Sequence, residues 1–141
     1  MATGSSSLQP TIRRARSDDS SKLIALVERY YSEWDVWERD SAADVQYYLE
    51  QPAPLGYTVA EREDALVGCV LLRALPSSPL AAECKRLFVT AEHRGHGLAS
   101  RLMDHAEAAA AAHGLQWIYL DTGEQFSAAL KLYRGRGLRA V

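Results

Sequence analysis

A pair of glycines between a strand-like and a helix-like segment is the stretch of sequence best suited to chemistry. Residues 89–99 read Val-Thr-Ala-Glu-His-Arg-Gly-His-Gly-Leu-Ala. Glycine lets backbone N–H groups approach an anion closely and adopt positive φ, and a following helix presents its positive end at the same place. His93, Arg94 and His96 crowd that end. Cations are unfavourable there unless an anion pairs with them, so the segment favours binding of a phosphate group.

Two common phosphate-binding motifs do not match this segment. A P-loop requires Gly-x-x-x-x-Gly-Lys followed by Ser or Thr, and no lysine follows these glycines. The dinucleotide-binding fingerprint requires a third glycine, where the chain has Ser100. Asp121 could contact a ribose, but the 20 residues that follow it are too few for the rest of a doubly wound domain. Without its context, the segment could also be a glycine turn with solvated charges.

Hydrophobic periodicity predicts the elements that position this loop, in the order β-α-α-β-β-β-α-β-α-β. Strands are expected at 11–15, 57–60, 66–73, 83–89, 117–120 and 138–141. Helices are expected at about 17–32, after Asp40 or Ser41, at 98–113 and at 127–133. Residues 75–80 contain two prolines and are expected to be a loop. We expect residues 1–10 to be a flexible leader and residues 11–141 to be a single domain.

The glycine segment and its surroundings resemble the GNAT acyltransferase superfamily. Residues 94–99 match R/Q-x-x-G-x-G/A, that family's acetyl-CoA pyrophosphate loop. Residues 83–103 resemble its fourth strand and third helix, and residues 120–138 its fifth strand and fourth helix, ending in Leu-Tyr-x-x-x-Gly. The resemblance implies an α/β (α+β) fold whose central sheet is mixed, mostly antiparallel and flanked by helices.

The resemblance also implies which residues bind acetyl-CoA. Backbone amides of the loop would hold the pyrophosphate, and a backbone N–H in the preceding strand would polarise the thioester carbonyl. The cofactor-binding residues expected in this way are Leu87, Phe88, Val89, Arg94, Gly95, His96, Gly97, Leu98 and Ala99. In the family the fourth and fifth strands splay apart and the thioester lies between them. Tyr133 matches the tyrosine that commonly protonates the departing thiolate.

Acyl transfer to an amine has further requirements. It passes through a tetrahedral oxyanion that needs fixed hydrogen-bond donors. The amine must first lose a proton, because a lysine-like ammonium has a pKa near 10.4. Glu83 is the first candidate for the general base, acting through water. A tyrosine with a pKa of about 10 can protonate a leaving thiolate with a pKa of about 8.5. Glu83 could instead be a surface charge, and Tyr133 could merely pack.

An acidic segment with two tryptophans joins the first two predicted helices. In the family this region often covers the acceptor site, so Glu33, Trp34 and Trp37 are expected to bind the acceptor. Carboxylates and aromatic rings would suit a cationic amine with an apolar body. A solvated connector with two anchoring aromatic residues explains the same sequence equally well.

Composition argues against several classes of binding partner and indicates the cellular compartment. The chain has 141 residues and a net charge of −2, which argues against a dedicated nucleic-acid binder. Its longest apolar run is too short to span a bilayer, so we expect no membrane partner. Two cysteines suit a reducing compartment, and we expect the cytoplasm. We expect no metal ion, because His93 and His96 have no third ligand nearby in sequence.

The sequence has no candidate for the family's seventh strand, because it stops at Val141, just into the sixth. An unpaired sheet edge would result, which we expect to be covered in a homodimer or by residues 138–141 beside residues 117–120. Two functions remain open. One is an N-acetyltransferase that moves an acetyl group from acetyl-CoA to a small-molecule or peptide amine. The alternative is an acyl-CoA-binding module of the same fold with little or no turnover.

Overall fold

A computed structural model of the chain describes residues 9–34, 39–121 and 127–131. Within these residues, six strands form one sheet in sequence order. They are β1 (Thr11–Arg14), β2 (Gly56–Arg62), β3 (Ala65–Leu75), β4 (Ser78–Val89), β5 (Trp117–Asp121) and β6 (Ser127–Lys131). Neighbouring strands are antiparallel except β4 and β5, which are parallel. The mixed, mostly antiparallel sheet expected from the sequence is therefore confirmed.

Three helices pack against the sheet within the described part of the chain. They are α1 (Ser20–Trp34), α2 (Ala42–Leu49) and α3 (Leu98–Ala112). Ser41 caps α2 through a reciprocal pair of bonds: the Asp44 N–H donates to Ser41 Oγ at 3.1 Å, and the Ser41 N–H donates to Asp44 Oδ2 at 2.8 Å. This capping box satisfies two backbone donors that the first turn leaves unpaired, and it explains why α2 begins where the sequence predicts.

The sheet buries a separate apolar cluster on each face. Leu23, Val27 and Val45 of α1 and α2 pack against strand residues that include Cys69 and Phe88. On the opposite face of the sheet, side chains of α3 pack against a second set of strand residues. The α3 residues are Leu98, Leu102, Ala106 and Ala110, and the strand residues are Val70, Leu72, Cys84, Val89 and Ile118. Successive strand residues face opposite sides, so the segment 84–89 contributes to both clusters.

Two sequence predictions are wrong. Residues 127–131, expected to be helical, form β6, which pairs antiparallel with all of β5. Backbone pairing at an open sheet edge outweighs the modest helix propensity of Ser-Ala-Ala-Leu-Lys. Residues 75–80, expected to be a loop, mostly belong to a hairpin, because β3 ends at Leu75 and β4 begins at Ser78. One proline lies in the turn and the other near the start of a strand, where a missing N–H is tolerated.

The described residues give further facts about the predicted partners. None of their helices is long and apolar enough to cross a bilayer, and they contain no group of three His, Cys, Asp or Glu side chains placed to hold a metal ion. Cys69 and Cys84 are free, buried thiols on opposite faces of the sheet. The extended piece predicted at 138–141 lies outside the described residues, and β6 occupies the position beside β5 that is predicted for it.

Candidate functional site

The parallel strands β4 and β5 pair over only part of the length of β4. They pair only between residues Ala81–Cys84 and Trp117–Leu120. β4 then continues to Val89, whereas β5 ends at Asp121. Among the described residues, the last five of β4 therefore have no strand on this side. β5 ends one residue after its last pair with β4, so the splaying expected of these two strands stays a prediction. Among the described residues, a gap in the sheet lies beside residues 85–89.

β4 carries a bulge where it leaves β5. Arg86 and Leu87 together stand opposite a single residue of β3, Val70. Arg86 has φ +59°, a left-handed conformation that costs a non-glycine residue roughly 1–2 kcal/mol. Bulges of this kind break the ladder and re-aim the local backbone, and they are frequent beside active sites.

The bulge turns the peptide between Arg86 and Leu87. Cys69 Sγ of β3 donates to the Arg86 carbonyl oxygen at 3.3 Å. In a planar trans peptide the N–H points opposite to the C=O, so the Leu87 N–H points away from the Cys69 thiol and out of the ladder with β3. A fixed N–H in that position can stabilise an oxyanion that forms in the gap. The side chain of Leu87 is exposed, whereas Phe88 and Val89 are buried on opposite faces.

The Arg86 side chain is held in a buried polar cluster. It is only 5% exposed, and its Nε donates to Asp40 Oδ2 at 3.3 Å. Its guanidinium carbon lies 5.5 Å from the ring centre of Tyr31, whose hydroxyl oxygen accepts from the Asp40 N–H at 2.7 Å. Burial alone would lower the pKa of Arg86, but the hydrogen bond and charge of Asp40 outweigh it and the pKa is raised. Burial raises the pKa of Tyr31, so its hydroxyl stays protonated at neutral pH.

The glycine loop is open on its outer side. Gly95 has φ +82° and Gly97 has φ +77°, values that glycine adopts without strain. A Cβ added at either position would meet no atom within 4 Å. Gly97 is the residue that precedes α3 and provides no side-chain cap, so the first N–H groups of the helix are available to an anion. His96 is exposed beside them, while Leu98 is buried and Ala99 is half-buried on the first turn of α3.

Arg94 does not reach into this open space. Its Nε donates to the Val89 carbonyl oxygen at 2.8 Å, and its Nη2 donates to Glu33 Oε1 at 2.6 Å. The guanidinium carbon lies 5.4 Å from the centre of the Phe88 ring. The structure therefore brings together a residue expected to bind the cofactor and one expected to bind the acceptor. It also corrects the electrostatic argument from the sequence, because the Arg94 charge already has a protein partner.

His93 is also engaged by the protein. Its Nδ1 lies 2.9 Å from Thr90 Oγ1, and its Nε2 lies 3.3 Å from Arg62 Nη1. A guanidinium can only donate, so Nε2 accepts from Arg62 and Nδ1 donates to Thr90. Two of the three side chains grouped at the start of α3 are thus tied back to the sheet. The groups of this loop that remain open to an anion are mainly backbone N–H groups.

Glu83 lies one residue before the point where β4 and β5 part. Its Oε1 accepts from Arg73 Nε at 2.8 Å, and Arg73 Nη1 donates to the Tyr48 hydroxyl at 3.3 Å. Its partner on β5 is Tyr119, which is 41% exposed. Strand residues rise by about 3.3 Å each, so Glu83 lies on the order of 13 Å along β4 from Leu87. At that distance Glu83 could take a proton from a group beside Leu87 only through water.

The remaining predicted site residues have different outcomes. Trp34 is the last residue of α1 and is 63% exposed. Trp37 and Tyr133 lie outside the described residues. Sequence analysis did not assign a site role to Arg86, Asp40 or Arg73. The available signal was the pair of consecutive cations Lys85–Arg86 inside β4, because a regular buried strand would not place two cations side by side.

Similar proteins were found by sequence and by fold. Residues 21–138 match the acetyltransferase (GNAT) family. An IAA acetyltransferase of Azospirillum brasilense is 32% identical over 116 residues, which are 82% of this chain and 74% of that protein. An acetyltransferase of the GNAT family from Streptococcus pneumoniae has the same fold, with a TM-score of 0.68 at 20% identity over 79% of this chain and 74% of that one.

A larger protein contains a similar domain. N-acetylglutamate synthase from Neisseria gonorrhoeae, whose structure was solved with coenzyme A and N-acetyl-glutamate, matches with a TM-score of 0.67 at 22% identity. The match covers 79% of this chain but only 24% of that one. At this level of identity the two structures share a fold, and the chain spans about a quarter of the synthase.

Proposed function

The chain belongs to the acetyltransferase (GNAT) family, and from this premise we propose that it transfers an acetyl group from acetyl-CoA to the amine of a small-molecule acceptor. One observation carries the proposal: the unpaired part of β4, residues 85–89, contains the bulge at Arg86 and Leu87 and leads, four residues on, into the open glycine loop. That arrangement suits a donor with a pyrophosphate at one end and a thioester at the other.

The donor would be held mainly by backbone groups. The N–H groups of the loop and of the first turn of α3 would bind the pyrophosphate, because no side chain caps them. The pantetheine arm would lie along the unpaired edge of β4. The coenzyme A bound to N-acetylglutamate synthase supports this donor. The bound N-acetyl-glutamate of that protein supports a small acceptor.

The thiols and acids of the described residues favour direct attack by the amine on the thioester over an acyl-enzyme. Burial raises the pKa of both Cys69 and Cys84 to about 12, so neither is a thiolate at neutral pH and neither is suited to form an acyl-enzyme. The amine nitrogen would instead bond to the thioester carbon, and the Leu87 N–H would stabilise the oxyanion. The amine proton would pass through water to Glu83. The carbon–sulfur bond would then break, and the thiolate would take a proton, for which Tyr133 remains our candidate.

Thiol release is the direct test. Purified protein would be mixed with acetyl-CoA and a set of amines, amino acids and short peptides, and free CoA and the acetylated product would be measured together. We expect release that depends on both the protein and one class of small amine. Tight acetyl-CoA binding without release for any amine would support the acyl-CoA-binding module instead. Failure to bind acetyl-CoA would overturn the proposed function.

A further inference from the structure

We propose that Asp40 is a positioning residue for the thioester carbonyl: it acts through Arg86 to hold the bulge that presents the Leu87 N–H. The inference rests on the proposed function, because it concerns the donor bound there. Asp40 lies 46 residues away in sequence from Arg86, in the segment between α1 and α2. It therefore links that segment to the backbone donor that acyl transfer requires.

The bulge needs such support because it is strained. Arg86 has φ +59°, and a side chain in the left-handed region keeps that conformation only when its surroundings hold it there. An extended Arg86 would return the following peptide to the ladder with β3. The Leu87 N–H would then point toward β3 rather than out of the ladder.

Two sets of contacts hold Arg86 in the bulge, one to its main chain and one to its side chain. On the main chain, Cys69 Sγ donates to its carbonyl oxygen at 3.3 Å; burial keeps this thiol protonated, with a pKa of about 12. On the side chain, Asp40 Oδ2 accepts from Nε at 3.3 Å and Tyr31 lies 5.5 Å away. The Asp40 backbone is itself fixed by its hydrogen bond to the Tyr31 hydroxyl.

A purely stabilising role does not require these residues. A buried ion pair is often no more stabilising than apolar side chains of similar size, and a regular strand would avoid the left-handed residue. What this pair provides is one particular backbone direction beside the gap. Its effect should therefore fall on the acyl carbonyl, which acetyl-CoA has and CoA lacks.

The test compares bound acetyl-CoA and bound CoA, so it needs no acceptor. Asp40→Asn removes the charge and keeps the shape. Tyr31→Phe is a milder second variant that keeps the ring beside Arg86 and removes only the oxygen that accepts from the Asp40 N–H. Asp18→Asn, which removes an exposed carboxylate paired with Arg16 at 3.5 Å, is the control. Each variant is first checked for a cooperative thermal transition.

Two readouts follow the carbonyl specifically. Isotope-edited infrared spectra of bound acetyl-CoA give the thioester carbonyl stretch, which a hydrogen bond lowers. Calorimetry gives the affinity for acetyl-CoA relative to CoA. In Asp40→Asn we expect the carbonyl band to move back toward that of free acetyl-CoA, and the affinity ratio to fall about five-fold, as expected for one lost hydrogen bond. CoA affinity should change less than two-fold, and Asp18→Asn should match the wild type.

An unchanged band and an unchanged affinity ratio in a folded Asp40→Asn variant would overturn the inference. If that variant does not fold, the Tyr31→Phe variant provides the test. A carbonyl band that shifts toward that of free acetyl-CoA in this variant supports the inference, and an unshifted band overturns it. If the wild-type protein binds no acetyl-CoA, the proposed function is overturned. If the wild-type protein binds acetyl-CoA but its carbonyl band is the same in the Asp40 variant, only the inference about Asp40 is overturned.

Discussion

Arg94, the first residue of the glycine loop, donates through Nη2 to Glu33 Oε1 at 2.6 Å, across 61 residues of sequence. Both side chains are partly exposed. The pair joins the C-terminal end of α1 to the loop, and it gives the Arg94 guanidinium an acidic partner within the protein. We therefore expect the loop to bind an anion mainly through its backbone, with Glu33 able to change the affinity.

Glu33→Gln should strengthen donor binding. It releases the Arg94 guanidinium, and we expect acetyl-CoA affinity to rise about two- to five-fold at low ionic strength, an effect that salt should screen. Stability should change by no more than about 1 kcal/mol, because the pair is partly exposed. Calorimetry at two salt concentrations measures the first effect and urea unfolding the second.

The control for Glu33→Gln is Glu92→Gln. Glu92 pairs with Arg29 at 3.2 Å, so its replacement changes the net charge equally without releasing a cation of the loop. An equal gain in both variants would show that overall charge, rather than the release of Arg94, determines donor affinity.

Gly97→Val should weaken acetyl-CoA binding by about ten-fold or more, which corresponds to at least 1.4 kcal/mol. A β-branched side chain at φ +77° is strained, and it would occupy the open space through which the phosphate approaches. Calorimetry with acetyl-CoA measures the loss.

Gly114→Val is the matched control for the glycine loop. Gly114 has φ +87°, and a Cβ there also meets nothing within 4 Å, but it follows the other end of α3. Both variants should lose similar stability, and only Gly97→Val should lose donor affinity. Equal affinities in the two variants would place the pyrophosphate elsewhere.

Local sequence patterns could predict the loop and most of the elements. The two glycines, the capping residue Ser41 and the apolar periodicity all act within a few residues, so one sequence shows them. β6 was missed because Ser127–Lys131 has no strong strand pattern of its own. It becomes a strand through pairing with the exposed edge of β5, which is a property of the fold.

The polar partners of the site could not be read from sequence. Asp40 and Arg86 are 46 residues apart, and Glu33 and Arg94 are 61 apart. Each of these four residues has other charged residues near it in sequence, so spacing alone does not select its partner. Which acid meets which arginine depends on how α1 crosses the sheet, and the left-handed conformation of Arg86 has no signal in a residue type that rarely adopts it.

Asp19 should make the fold sensitive to acid. The bidentate hydrogen bond from Arg13, at 2.8 Å on each oxygen, outweighs burial and, with the Arg16 N–H, lowers the pKa of Asp19 from 3.8 to about 2. A lowered pKa stabilises the folded state above pH 3.8, and this contribution disappears as pH falls through 2. At neutral pH it is on the order of 2 kcal/mol, since each pKa unit corresponds to about 1.4 kcal/mol.

Asp19→Asn should therefore lower the free energy of unfolding at pH 7 by about 2 kcal/mol, and the difference from the wild type should shrink below pH 4. Urea unfolding of both proteins at several pH values gives the curve. A difference that stays constant from pH 7 to pH 3 would show that the loss comes from packing and not from the charge of Asp19.

Glu83→Gln should slow acetyl transfer without weakening donor binding. A general base contributes about 10²–10⁴ to the rate, and we expect a loss within that range in single-turnover experiments, with acetyl-CoA affinity unchanged. The rate of the variant should recover as pH rises, because the amine then loses its proton to solvent without help, with a pKa near 10.4 for a lysine-like acceptor.

Glu61→Gln is a closely matched control for Glu83→Gln. Glu61 also lies on a strand, pairs with an arginine at 3.0 Å and has the same 26% exposure, but it is on β2, away from the gap between β4 and β5. It should retain the wild-type rate at every pH. If Glu83→Gln keeps the wild-type pH dependence as well, the amine loses its proton to another group and Glu83 serves only to pair with Arg73.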